Sequence, residues 1–410
     1  MSFIRNLKTF SSFKNRVYRL YYAGMLGQMA SMNMQQIAGG LLLERLTHSP
    51  AIVGAMFLTN AIPMLILSLF GGVIADRVEK KYVLLTGQIA FALISLAVAI
   101  TLTTGYLSPE RSGSWWVLFV SSALQGCVMG LAMPSRQAII NDIVSGKDLM
   151  NAISLNFMGM NALQLFAPAI AGFLIDALDF NAIYYTMTGL YIIAVVFFTF
   201  MPRIGIKSIS KGNPLVDIRE GFKYVLKEKD IRLSLFLSFI AVILSMPYSQ
   251  LMPFFADDIL RVGARGMGIL MSASGAGAIF ASITLASLPN KNRGIIVLAA
   301  GVFLGIALTG FAFSTLWPLS LAMIALVGIG STVRMALTNT LVQYYVDDKY
   351  RGRVMSLFMM QFGLSSLGTF ASGLLAQRFG VQWAVGSFAI VLIALSILAL
   401  MLFPRLRKLD

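Results

Sequence analysis

The chain has 410 residues, of which 58% are hydrophobic and only 12% charged, and its net charge is +15. Soluble domains carry about 25% charged residues, so this composition excludes a water-coated globule, and its apolar content excludes disorder. The positive charge sits in short loops between long apolar runs, which argues against a nucleic-acid surface. A single cysteine, Cys127, excludes intramolecular disulfides and CxxC redox chemistry, and a single histidine, His48, excludes histidine-cluster metal sites. No cofactor and no metal are expected.

The first residues, MSFIRNLKTFSSFKNRVYRLYYAG, are basic and then enter an apolar run too long for a signal-peptide core. No A-x-A-like cleavage site follows, which predicts a retained first membrane helix. A crossing needs about 20 mostly apolar residues. Twelve segments qualify: 20–42, 51–75, 82–104, 115–135, 152–176, 181–201, 232–256, 266–288, 294–313, 317–343, 354–377 and 381–403. With both termini cytoplasmic, only five of the 32 Lys and Arg fall in external loops (Arg45, Arg111, Arg261, Arg265 and Arg378). One more, Arg334, falls inside a helix, and the remaining 26 are cytoplasmic. The opposite topology would invert the positive-inside bias.

The longest loop, 202–231, divides six spans from six. Within it Asn213 is an N-cap candidate and Pro214 a first helical residue. Leu215, Ile218, Phe222 and Val225 share one face, with Arg219, Lys223 and Lys227 largely elsewhere, which predicts an amphipathic helix on the inner membrane surface. The halves echo one another: GKDLMNAISL (146–155) is similar to DKYRGRVMSL (348–357), and HSPAIVGAMFLTN (48–60) more loosely to RVGARGMGILMSAS (261–274). The domains expected are an N-terminal six-helix bundle (1–201), a linker with the amphipathic helix (202–231) and a C-terminal six-helix bundle (232–410). The fold class is all-α integral membrane, two six-helix pseudo-repeats, an arrangement known among transporters.

Between spans 2 and 3 the sequence reads GGVIADRVEKKY. This resembles the G-x-x-x-D-R-x-x-R-R/K loop of the major facilitator superfamily, with Gly72, Asp76, Arg77, Lys80 and Lys81 at the motif positions. Glu79 departs from the frequent glycine, and Lys80 lacks the planar fork of arginine. The resemblance implies the major facilitator fold and a gating role for these five residues. Independently, Gly72 permits close helix approach, and an aspartate at a helix end can pair with basic groups or a helix N-terminus. FKNRVYRLYYAG, LLLERLTHSPAIVGAM, MPSRQAIINDIVSGKDLMNAISLN and DIREGFKYVL are similar to the siderophore-exporter and macrolide-efflux branch. In span 4 the family's R-x-x-Q-G is Ser122-Ala123-Leu124-Gln125-Gly126, without the arginine linked to proton coupling. In span 5 its G-P-x-x-G-G is Ala167-Pro168-Ala169-Ile170-Ala171-Gly172, which keeps a helix-kinking proline and leans toward export.

A transporter needs a polar cavity near mid-membrane, so intramembrane polar groups are the place to look. Arg334 stands out, because a charge at the helix centre costs at least ~2.5 kcal/mol unless it faces a cavity or partner. Its residue type suits an anionic or carbonyl-rich part of a substrate. Gln28 and Gln35 share a face with Met32 between them; Gln125, Gln164, Tyr248, Gln250, Asn339 and Gln361 complete the candidates. Any one of these amides also suits an interhelical hydrogen bond, worth ~0.6 kcal/mol. In the resembled family, spans 1, 4, 7 and 10 line the central cavity. Gly126-x-x-x-Gly130 and Gly301-x-x-x-Gly305 read as packing contacts within one subunit.

The expected function is secondary export of a small amphipathic molecule, drug or siderophore-like, by alternating access with protons as the counter-ion. No GxxxxGK[ST] loop exists for direct ATP use, and no convergent carboxylates or histidines suggest an enzyme. Titratable groups for a proton step lie only at span margins: Glu44, Asp76, Asp176, Asp257 and Asp258. Uptake by symport or uniport, and lipid transport, use the same fold and stay open. The partners are the substrate, protons and the bilayer, not nucleic acid, with a monomer in the bacterial inner membrane.

Overall fold

Lipid offers the backbone no hydrogen-bond partners, so long apolar runs must close their N–H···O=C bonds within the segment, as helices do. In the computed structural model, residues 8–144, 146–203, 214–287, 292–347 and 350–403 are described. Among them ten helices are long and apolar enough to cross a membrane. The long elements of the first part are α1 (Arg16–Thr47), α2 (Pro50–Arg77), α3 (Lys80–Thr103), α4 (Trp116–Ile143) and α5 (Leu149–Thr199). A shorter helix, α6 (Pro214–Lys227), follows. The remainder comprises α7 (Lys229–Ser245), α8 (Gly263–Ser287), α9 (Arg293–Phe313), α10 (Trp317–Tyr345), α11 (Arg351–Met359), α12 (Gln361–Phe379) and α13 (Val381–Leu402).

At 51 residues α5 is far longer than one crossing needs, and it is interrupted at Asp179 (φ 70°, ψ 175°). The Asp179 carboxylate accepts a hydrogen bond from the Phe180 N–H at 2.7 Å, starting the second stretch. Pro168 is buried within the first stretch. The expected span 232–256 is shorter as regular helix. After Ser245 the chain continues through the short turns Pro247–Gln250 and Met252–Phe254 and the wider turn Phe255–Ile259. Pro247 and Pro253 each lack an N–H, which ends a regular ladder.

The chain divides into two compact units, residues 1–42 with 59–211, and residues 43–58 with 212–410. In the first, α3 packs on α4 and α5. Tyr18, Tyr21, Met25, Met29, Leu84 and Phe198 form part of its core. A Cβ at Gly126 would lie 2.1 Å from the Asn60 carbonyl oxygen, and one at Gly130 2.6 Å from that of Met64. Both glycines of the expected packing motif therefore let α4 touch the backbone of α2.

In the second unit α8 packs on α10, and α9 on α10 and α13. A Cβ at Gly301 would lie 2.6 Å from Ser396 Oγ, and one at Gly305 3.0 Å from the Ala389 carbonyl oxygen. The end of α1 and the start of α2 belong to this unit. Arg45 Nε meets Asp257 Oδ2 at 3.1 Å, and Ser49 Oγ donates to Gln377 Oε1 at 2.8 Å.

The face expected on α6 is divided. Val225 is buried in a cluster with Ile231, Leu235, Val354 and Phe358, while Phe222 is exposed. Tyr224 stacks on Tyr350 with ring centroids 4.3 Å apart, and Arg353 pairs with Glu220 at 2.5 Å. Helix α6 thus docks on α11 through one edge, a tertiary contact that periodicity does not reveal. The side chains of Leu215 and Ile218 lie outside the described residues.

Candidate functional site

The loop between α2 and α3 contains only Val78 and Glu79, so the basic residues of the motif stand at helix termini. Lys80 opens α3, and its ammonium meets Asp142 Oδ2 at 2.7 Å near the end of α4. Both side chains are mostly buried, 15% and 11% exposed, which makes this more than a surface pair. Lys81 donates to the Thr199 carbonyl at 2.9 Å and to the Met201 carbonyl. These oxygens stand at the end of α5, where the helix dipole favours a cation. Arg77 is exposed. The Asp76 side chain and the surroundings of Gly72 lie outside the described residues.

Asp142 is absent from the sequence-derived site. The signal available was the need of Lys80 for a counter-charge, together with an aspartate at the end of span 4. Arg136 was passed over for a different reason. The expected span 115–135 stops one residue short of it, whereas α4 runs through Pro134 to Ile143. Its Nη2 reaches Met29 Sδ at 3.2 Å, and its guanidinium also interacts with the Tyr21 hydroxyl.

The candidate cavity residues fall in both units. In the first, Gln28 is buried and Met32 packs against the core. Gln35 and Gln125 are half-buried, and Gln164 is exposed. No hydrogen bond joins any two of these amides among the described residues.

In the second unit the structure brings several candidates together. Arg334 and Thr338 of α10 line a cavity with Ser238 of α7. Ser238 Oγ donates to Gln361 Oε1 at 3.1 Å, tying Arg334 and Gln361 into one polar cluster through a serine the sequence reading overlooked. Gln361 is 1% exposed. The Tyr248 and Ser274 hydroxyls lie 3.4 Å apart. Gln250 Oε1 is buried with no partner among the described residues. Asn339 accepts from Gln343 Nε2, one turn along α10. This is a lining suited to binding and orienting a polar molecule in lipid, with no described group of three or more His, Cys, Asp or Glu to hold a metal.

Many apolar helices, with buried amides between them and basic residues at their ends, define a multi-pass membrane protein. A family model described as transmembrane secretion effector matches residues 7–410. The chain belongs to this family of major facilitator transporters, not to an enzyme family.

Among similar proteins is the staphyloferrin A transporter of Staphylococcus aureus, 25% identical over 371 residues, covering 88% of this chain and 89% of that protein. The enterobactin exporter EntS of Salmonella choleraesuis is 25% identical over 404 residues, covering 95% and 93%. Among solved structures, the nucleoside transporter NupG aligns with a TM-score of 0.74 at 15% identity, over 95% of this chain and 99% of that one. A POT family transporter in complex with 5-aminolevulinic acid aligns with a TM-score of 0.75 at 13% identity, over 96% and 97%. These last two likenesses speak to fold alone.

Proposed function

We propose that the chain exports a small amphipathic, siderophore-like molecule across the bacterial inner membrane by alternating access, with proton antiport as the driving reaction. The observation that carries this reading is the full-length match to a secretion family together with siderophore transporters among the relatives. The reading includes a twelve-span topology with cytoplasmic termini, in which α5, interrupted at Asp179, makes two crossings and α1 adds one to the ten helices apolar enough to cross. With that orientation the 26 basic residues of the short connections and tails face the cytoplasm.

In this reading Gln28, Met32, Gln35, Gln125, Gln164, Tyr248, Gln250, Arg334, Asn339 and Gln361 serve the substrate path, and Pro168 shapes α5. Gly72, Asp76, Arg77, Lys80 and Lys81 act as the gate, and the protein works as a monomer. The Lys80–Asp142 pair supports the gate, because a mostly buried ion pair at the base of the loop fixes where its charges stand.

The test uses everted membrane vesicles holding an acid-inside gradient read by a pH dye. Enterobactin, staphyloferrin A, a macrolide and a lipophilic cation are added in turn. Protein-dependent collapse of the gradient by a siderophore is expected. Siderophore entry into the lumen without collapse would replace antiport by uniport. No entry of any compound, with membrane insertion verified, would overturn export in favour of uptake or lipid transport.

A further inference from the structure

The geometry points to a binding site for a small monovalent anion at Arg334, inside the second unit. Helices α7, α9, α10 and α13 enclose a cavity of about 50 Å³. Its walls are largely apolar, and its polar side chains are Arg334 and the hydroxyls of Ser234, Ser238, Thr338 and Ser396. No carboxylate is among the lining residues. Arg334 is 4% exposed, and its Nε and Nη1 have no hydrogen-bond partner among the described residues. An ion buried without a partner is far more costly than the same ion paired. A guanidinium offers its N–H groups in a fork that matches a planar carboxylate, and the same groups donate to a halide.

Size narrows the ligand. One water needs roughly 10–15 Å³ of such space, so the cavity admits a few water-sized atoms. That is far below the ~300–1,000 Å³ of a pocket enclosing a drug-sized molecule. A halide, nitrate or a single carboxylate group fits; a whole siderophore does not.

The hydroxyls agree with an anion. The Thr338 hydroxyl donates to the Arg334 carbonyl at 2.7 Å and that of Ser238 to Gln361. Those of Ser234 and Ser396 are left to donate toward the cavity. Apolar walls lower the local dielectric and strengthen the pairing. They also disfavour sulfate, whose double charge costs more to dehydrate. The anion has two sources, a free ion or a carboxylate carried by the transported molecule.

The site is tested on purified full-length protein, transferred into a gluconate buffer and titrated with chloride, nitrate or acetate at matched ionic strength. Thermal unfolding is followed by tryptophan fluorescence. Anything that binds the native state alone raises the unfolding midpoint, with the logarithm of its concentration once that exceeds the dissociation constant. Logarithmic rises of this form with all three anions are expected, with none for sulfate.

Arg334→Gln is expected to abolish the response. Should that variant not fold, Ser396→Val is expected to raise several-fold the anion concentration needed for a given midpoint shift. Equal midpoints in every salt, or an unchanged response in both variants, would overturn the site. Repeating the titration with saturating staphyloferrin A separates the sources. Competition with chloride identifies a substrate carboxylate, and an unchanged titration identifies a free ion. The readout is binding, so a negative result leaves the direction and coupling of transport untouched.

Discussion

Lys80 and Asp142 stand 2.7 Å apart across the ends of α3 and α4, with both side chains largely withdrawn from water. Removing one partner leaves an uncompensated charge in a poorly solvated place. Asp142→Asn is expected to destabilise the protein by about 3 kcal/mol, the low end for breaking a buried pair. Lys81→Met, which removes a cation from exposed helix-end carbonyls, is expected to cost about 0.5–1 kcal/mol. Unfolding midpoints of the two variants, measured side by side, check the order. Equal losses would mean that the Lys80 pair is as solvated as Lys81.

Asp76 is proposed to act in the gate rather than on the substrate. Asp76→Asn is therefore expected to lower the maximal rate of export at least ~10-fold while leaving the half-saturating substrate concentration nearly unchanged. That pattern reports an interaction made during the cycle rather than in binding. Export kinetics in vesicles at matched protein levels decide it. A rise in the half-saturating concentration with the maximal rate intact would contradict the gate.

Gly126 lets α4 lie directly on the α2 backbone, and an added methyl would stand 2.1 Å from the Asn60 carbonyl oxygen. Asn60 Nδ2 also donates to the Ser122 carbonyl at 2.9 Å, holding the same crossing from the other side. Neither backbone can retreat without breaking that bond. Gly126→Ala is expected to cost about 1–3 kcal/mol, the usual penalty of overpacking. Gly189→Ala is the control, since a Cβ there meets nothing within 4 Å. Helix propensity favours alanine at both sites, so a loss at Gly189 as large as at Gly126 would remove the crossing as the cause.

Asp179 occupies a backbone region that side chains rarely adopt, at φ 70° and ψ 175°. Such a residue stores roughly 1–3 kcal/mol of strain. Its bond to the Phe180 N–H returns part of this, but replacing an N-cap by glycine costs only a few tenths of a kcal/mol. Asp179→Gly is expected to raise stability by about 1 kcal/mol, and Asp179→Ala to lower it. A lowered unfolding midpoint for the glycine variant would mean that the capping bond outweighs the strain.

The helices were legible because apolar length and loop charge are local properties. The interruption of α5 at Asp179 falls within residues 177–180, the gap between the expected spans 152–176 and 181–201. The side-chain site was less legible. Asp142, Arg136 and Ser238 meet their partners only after α4 and α7 have packed, and nothing in their own neighbourhood announces it. Periodicity placed Val225 and Phe222 on one face, yet docking against α11 buried the first and exposed the second. Arg334 was conspicuous because it is a charge in an apolar run. That its guanidinium faces a small cavity within one unit depends on four helices at once.

Glu44 lies just past the C-terminal end of the expected span 20–42, buried against His48, whose Nδ1 stands 3.3 Å from its carboxylate. Burial, and then the charges of Asp257 and Asp258, push its carboxyl above the ordinary value of 4.5, with His48 pulling the other way. Arg45 is engaged with Asp257 at 3.1 Å. A raised carboxylate value means that the native state holds a proton the unfolded chain has already released. The stabilisation is complete below 4.5 and is lost as pH rises from there through the native value. The unfolding midpoint should therefore fall across that window in the native protein, and Glu44→Gln should flatten the fall. An unchanged pH profile in the variant would remove Glu44 as the source of the fall.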